Sequence, residues 1–434
     1  EFIDFNGKNI SVIGEDRENT IIDGGWHGIS VVRIEDVEGI CALKGITISN
    51  GYSDYGGGIY CSNASLDLEN LIIEANSAGL LGGGIYLENS NANISQTIIN
   101  DNGSSGEGGG IYTESSNVYF NDVIISNNRV IDGGGGAISF HSDSYDSISF
   151  TNTTIANNTS GMAGNIQISG RSSVSLQSVT IHDNILEGGA DGSAGIYSAG
   201  EGHLNLHNVS IINNYAYDCG DNDECVGSLL FDASDDFPSS ISIINSIFWN
   251  HSGNEFHIST GNAEQVIDIS YSNIRNGYDG EQIIEADPLF CDQGNSDFML
   301  GENSPCVGSG LDGVNMGALD VGCNEGQEWE TEYVAINSEN IPLQYSLYQN
   351  YPNPFNPITT VRYDLPVDAN VNITIYDLMG RSIRSLVNSQ QTAGYKSVRW
   401  NATNNLGQPV SAGVYLYSIE AGEFRQTKKM VLLK

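Results

Sequence analysis

The sequence predicts an all-β fold, a right-handed parallel β-helix of about eleven rungs followed by a small Ig-like β-sandwich. Three observations lead there. The motif GGGIY stands at 56–60, 82–86 and 108–112, a spacing of 26 residues. Between its copies lie short runs of period-two alternation, the pattern of strands with one buried face. Near residue 342 the composition and the sign of the charge both change, which marks a domain boundary.

The repeat can be followed by columns. One apolar column is Ile22, Ile48, Ile73, Ile99, Ile125, Ile155, Ile181, Ile211 and Phe248. Five positions earlier stand Leu43, Leu68, Ile94, Phe120, Phe150, Leu176, Leu206 and Ile243. Three positions after the first column stand Asn76, Asn102, Asn128, Asn158, Asn184 and Asn214. No single run can bury its apolar face alone, but stacking like runs coil on coil buries a continuous column. Three strands and three turns in about 26 residues make one rung, and eleven rungs at roughly 4.8 Å give a rod on the order of 50 Å long. The Asn column is expected to form a ladder at one corner, each amide bonding the next rung. The glycines before each Ile suit a corner of positive φ or close packing. A helical solenoid would need apolar residues at i, i+3, i+4 and i+7, and that period is absent. Insertions fall between the Asn column and the next GGGIY.

Residues 342–434 hold nine Lys/Arg against five Asp/Glu, a charge of +4, which leaves −42 on residues 1–341 of a chain whose net charge is −38. Nucleic acid and anionic membranes are therefore poor partners. No stretch is long and apolar enough to span a bilayer, so an integral membrane protein is not expected. The opening EFIDFNGKNI shows no signal peptide. Runs such as TTVRYDLP, VNITIYDL and GVYLYSIEA, separated by Gly, Asn and Pro, read as a small antiparallel sandwich. The expected organisation is a β-helix over 1–323, a linker over 324–341 and the Ig-like domain over 342–434.

The GGGIY repeats with Asn-capped strands resemble the right-handed β-helix repeat family, which includes polymorphic outer-membrane proteins and pectate-lyase-like solenoids. ADPLF (286–290), NSPC (303–306) and MGALDVG (316–322) resemble its closing segment, and the family normally has more chain before TIIDGG (20–25), which implies an incomplete N-terminus. The family spans lyases, hydrolases, adhesins and passive surface proteins, so the fold does not set the activity. Residues 342–434 resemble the type A C-terminal sorting domain of type IX secretion, through YPNPFNP (351–357), IYDLMG (375–380), AGYKSVRW (393–400), SAGVYLY (411–417) and KKMVLLK (428–434). That resemblance implies the type IX machinery as a partner, and delivery to the surface or surroundings of a Gram-negative bacterium.

The residues offer few chemical candidates. Outward positions after the inward Ile include Tyr60, Tyr86 and Tyr112, expected as an exposed aromatic ladder for stacking on sugar rings, and Tyr197, a further glycan-binding candidate in the same column. Glu88 and Glu114 sit beside it one rung apart and are the candidate acid and base of a hydrolase. The plainer reading is a soluble β surface with good cross-strand packing. Asp218, Asp221, Asp223 and Glu224 crowd the loop DCGDNDEC, where oxygen ligands at alternating spacing suit calcium, though the loop lacks the full EF-hand pattern. Cys219 and Cys225 are expected to pin that loop as a disulfide, Cys306 to pair with Cys291 or Cys323, and Cys41 with Cys61.

The expected function is therefore a secreted adhesive or glycan-binding surface protein. The alternatives are a polysaccharide lyase or hydrolase on the β-helix, and a structural subunit that self-assembles through solenoid ends.

Overall fold

The computed structural model describes residues 1–188, 192–216, 226–233, 238–250, 254–259 and 265–323, and most of 345–433; within that last range 348–349, 351–354, 356, 358, 378, 393, 406–407 and 423 fall outside the description. The expected linker, 324–341, lies outside it as well. The chain divides into two compact units, Glu1–Gln327 and Glu328–Lys434. Among the described residues there is no α-helix.

The first unit is a parallel β-solenoid of about eleven turns. Each coil contributes to three parallel sheets. The first holds Val32–Glu35, Ile59–Ser62, Ile85–Glu88 and Ile111–Glu114 in register. The second holds Ile40–Lys44, Ser65–Glu69, Asn91–Ser95 and Asn117–Asn121. The third holds Ile21–Asp23, Thr47–Ser49, Ile72–Glu74, Ile98–Asn100 and Ile124–Ser126. At the insertion corner the sequence reading missed a fourth sheet of short strands, running from Tyr52–Tyr55 to Tyr215–Ala216. Two-residue strands such as Gly103–Ser104 carry no readable alternation, which is why periodicity did not reveal them.

Alternation along each strand sends every second side chain inward. Ile48, Ile73, Ile99, Ile125, Ile155, Ile181, Ile211 and Phe248 are each 0% exposed. Each contributes about 1.5–3 kcal/mol by leaving water. Phe120 and Phe150 stack on neighbouring coils with ring centroids 4.4 Å apart. The corners need positive φ, and Asn70, Asp122, Asn152 and Asn208 supply it, as Asn and Asp tolerate the left-handed region. At the GGGIY corner Gly82 has φ +69°, and a Cβ on Gly83 would lie 2.4 Å from the carbonyl oxygens of Gly103 and Gly109.

The amides of the Asn column form a continuous ladder. Asn102 Nδ2 donates to Asn128 Oδ1 at 3.0 Å and to the Ile73 carbonyl at 2.9 Å, and the Asn102 backbone N–H donates to the same Asn128 oxygen at 3.0 Å. The side-chain bond recurs from Asn76 through Asn102, Asn128, Asn158 and Asn184 to Asn214. The ladder continues one rung further, to Asn250. Asn250 follows Phe248 by two residues rather than three, because the left-handed residue that precedes each other rung's Asn is missing there. The row begins at the Gly51 N–H, which donates to Asn76 Oδ1. It ends on a buried carboxylate. The Asn250 backbone N–H and Nδ2 donate to the two oxygens of Glu255, each at 2.8 Å, and Ser228 Oγ adds a third bond. Burial raises the Glu255 carboxyl above its ordinary range, against the opposing pull of the Ser228 and Asn250 bonds.

The closing segment lies against the outer side of the third sheet. Asn208 Nδ2 donates to the carbonyls of Asn315 and Gly317, and Phe298 meets His182 edge to face. Cys323 pairs with Cys291, with Cα atoms 5.8 Å apart. The expectation that Cys306 takes part in a disulfide is corrected. Cys306 is a buried free thiol in an apolar cluster with Ile247, Leu300 and Met316, where its sulfur accepts a bond from Asn273 Nδ2. Cys41 and Cys61 are also free and buried, because they point inward from different sheets, the second and the first.

The second unit packs two antiparallel sheets on one core. One holds Ser346–Leu347, Thr359–Leu365 and Gly394–Trp400; the other holds Ser382–Gln391, Ala369–Asp377, Gly413–Ala421 and Phe424–Leu432. Val361, Tyr363 and Trp400 from the first meet Val371, Ile373, Tyr417 and Met430 from the second. The Asn350 N–H donates to the buried Tyr417 hydroxyl, whose pKa burial pushes up to about 12.

Two outcomes are expected. Asn128→Ala orphans two donors on Asn102 and the Ile99 carbonyl, and should destabilise the solenoid by about 2–4 kcal/mol in denaturant melts. A raised native pKa at Glu255 means that its contribution is lost as pH climbs from the ordinary carboxylate range through the raised value. The stability of Glu255→Gln relative to the wild type should therefore improve as pH rises across that window; a relative stability that is flat with pH would show that Glu255 does not titrate as a buried ladder cap.

Candidate functional site

The outer face of the first sheet carries the residues that the sequence singles out. Parallel pairing places Tyr60, Tyr86 and Tyr112 in one column, followed by Ser139, Gln167 and Tyr197. The three tyrosines stack nearly parallel, with centroids 5.3 Å and 5.5 Å apart and interplanar angles of 6° and 5°. His141 extends the row beyond Tyr112, the Arg33 guanidinium covers the far face of Tyr60, and Tyr55 packs edge-on against Tyr86.

This arrangement corrects the expected exposed ladder. Tyr86 and Tyr112 are each 6% exposed. Coils about 4.8 Å apart bring like rings face to face, so each ring takes the place a sugar would need. Tyr60 and Tyr197 are half-buried, and Tyr197 stands apart from the stack behind Ser139 and Gln167. Burial raises the Tyr86 and Tyr112 hydroxyls above the ordinary phenol range, helped by the charges of Glu88 and Glu114, so the stack stays protonated.

Glu35, Ser62, Glu88, Glu114 and His141 form the next outward column. Ser62 Oγ donates to Glu88 at 3.1 Å. Glu88 and Glu114 occupy equivalent positions on one sheet face rather than opposite walls of a cleft. A glycosidase needs its two carboxyls on either side of the scissile bond.

One polar cluster escaped the sequence reading. Glu107, from the insertion corner, meets His141 Nε2 at 2.5 Å and accepts from Ser139 Oγ at 2.9 Å, and Ser139 Oγ lies 3.1 Å from the same Nε2. The residue types are those of a nucleophile relay. The geometry is not, since a relay uses the two different ring nitrogens, one toward the nucleophile and one toward the carboxylate. Burial raises the Glu107 carboxyl, but the His141 and Ser139 contacts outweigh it and hold the carboxyl below its usual range. The cluster closes the aromatic row. Ser139 and His141 share one strand, but the carboxylate comes from the preceding coil, at a corner of irregular length, so no spacing announced it.

Among the described residues, no group of His, Cys, Asp and Glu is disposed to hold a metal ion. Asp218, Asp221, Asp223 and Glu224, with Cys219 and Cys225, lie outside the described residues. An open hollow at the corner between the first and second sheets is lined by Ser142, Asp143, Gly170, Arg171, Gly200 and Glu201, where Arg171 is paired to Glu201 at 2.5 Å.

Comparison with known proteins speaks to the second unit. Residues 349–433 match the family described as secretion system C-terminal sorting domain. A dimeric latent PorU from Porphyromonas gingivalis is similar at 24% identity over 20% of this chain and 9% of its own, with a TM-score of 0.18. PorZ, described as an essential surface component of the type-IX secretion system of the same bacterium, is similar at 23% identity over 20% of this chain and 11% of its own, with a TM-score of 0.16. The chain thus spans about a tenth of the length of either. No curated protein matches it. The sorting domain implies export to the cell surface or extracellular space, and interaction with the secretion machinery. No helix is long and apolar enough to cross a membrane among the described residues.

The role of the aromatic row can be measured. Tyr86→Phe keeps the stack and should shift stability by less than about 1 kcal/mol, whereas Tyr86→Ala opens a cavity between two rings and should cost about 3–5 kcal/mol. Equal effects of the two changes in denaturant melts would show that the hydroxyl, not the ring, matters.

Proposed function

We propose that the solenoid is an adhesive or glycan-binding rod, delivered to the cell surface or extracellular space by the sorting domain it carries. One observation supports this reading above others: the outward side chains of successive coils stand in register, so a single weak contact can be repeated at each rung. Repetition on a rigid scaffold turns weak contacts into firm attachment without any deep pocket. A hydrolase reading is favoured only by the one-rung spacing of Glu88 and Glu114.

Immobilised neutral and acidic polysaccharides, with and without calcium, provide the test. The full chain should be retained on at least one of them without new chain ends appearing. New ends that vanish in Glu88→Gln/Glu114→Gln would establish the hydrolase instead. Retention on no polysaccharide would overturn glycan binding.

A further inference from the structure

The outer face of the second sheet has a character of its own. From residue 91 to 244, six consecutive strands run in register with no bulge between them, and three side chains of each point outward. None of these positions holds Asp, Glu, Lys or Arg, in a chain whose net charge is −38. Charges return at both borders, with Lys44, Asp67 and Glu69 on one side and Asp268 on the other. The patch is instead filled with Asn, Ser, Thr, Gln and two His, together with Tyr119 and, at its last corner, Ile244.

Its middle column reads Asn93, Tyr119, Ser149, Ser175, Asn205 and Ser242, all exposed or half-exposed. Among the described residues, these side chains make no hydrogen bond to the protein, so their donors and acceptors are available to a ligand. Tyr119 is 45% exposed, and its register neighbours are Asn93 and Ser149. Its ring faces are therefore not taken up by other rings, in contrast to Tyr86.

We infer that this face binds an uncharged polysaccharide laid across the coils, with Tyr119 as the aromatic platform; the inference rests on the glycan-binding reading above and names its site and ligand class. Amides and hydroxyls both donate and accept, as sugar hydroxyls do, and carry no fixed preference for an ion. Polar groups repeat about every 4.8 Å across the coils and about every 6.6 Å along a strand, a lattice suited to a regular polyhydroxyl chain. The acidic field of the rest of the solenoid disfavours polyanions, while a neutral chain pays no such penalty. An exposed tyrosine face stacks on the C–H face of a sugar ring.

Co-sedimentation of the full chain with insoluble cellulose and chitin, and binding to soluble alginate as the acidic comparison, tests this. Ser175→Glu/Asn205→Glu places two charges on the face. Ser169→Glu/Ala199→Glu places the same two charges on the same two coils, but on the first sheet. The wild type and the first-sheet control should sediment with a neutral polysaccharide, and Ser175→Glu/Asn205→Glu should bind at least about 10-fold more weakly, as should Tyr119→Ala. Melting curves of both charge variants separate loss of binding from loss of fold. Equal binding by Ser175→Glu/Asn205→Glu and the wild type would overturn the site while leaving glycan binding in place. Binding to alginate but to neither neutral polymer would overturn the ligand class. Binding to none would overturn the underlying reading as well.

Discussion

In-register stacking of one coil on the next is the constraint on which everything else in this solenoid depends. Parallel pairing fixes the step at about 4.8 Å and sets each residue over its counterpart. Whatever a column contains must therefore be able to pack against itself. Isoleucine does so inside, burying a branched side chain in each rung. Asparagine does so at the corner, because an amide is both donor and acceptor and can pass one bond to the next amide without limit. Tyrosine and phenylalanine do so by stacking ring on ring.

The same constraint bears on chemistry. Acid–base catalysis needs two groups in unlike surroundings, and a repeat places like groups in like surroundings. Departures from the repeat are where unlike groups meet. Glu107, Ser139 and His141 come together where GGGIY gives way to GGAIS, and Glu255 stands where the Asn column runs out. In both places a carboxylate absorbs what the repeat leaves unfinished: one closes the aromatic row and the other caps the amide ladder. The outer face of the second sheet keeps the register without the charge: across six coils its outward positions hold no Asp, Glu, Lys or Arg.

Much of this architecture was legible in the sequence. Steps near 26 residues gave the coil, the Ile and Asn columns gave its interior and one corner, and the break near residue 342 gave a second unit. These features are local or strictly periodic, so counting finds them. The stacked burial of Tyr86, the pairing of Cys291 with Cys323 rather than with Cys306, the Asn250–Glu255 terminus and the Glu107 cluster were not legible in this way.

The sequence by itself determined which residues share a column, because hydrophobic period and repeat length survive without coordinates. Only the tertiary structure decided what each column has left to offer. Exposure and partnership depend on the neighbouring coil and on where the irregular corners and the closing segment fold back. Tyr86 and Tyr119 are both outward tyrosines on strands of the same solenoid, yet one is enclosed between rings and the other stands between Asn93 and Ser149 with its faces open.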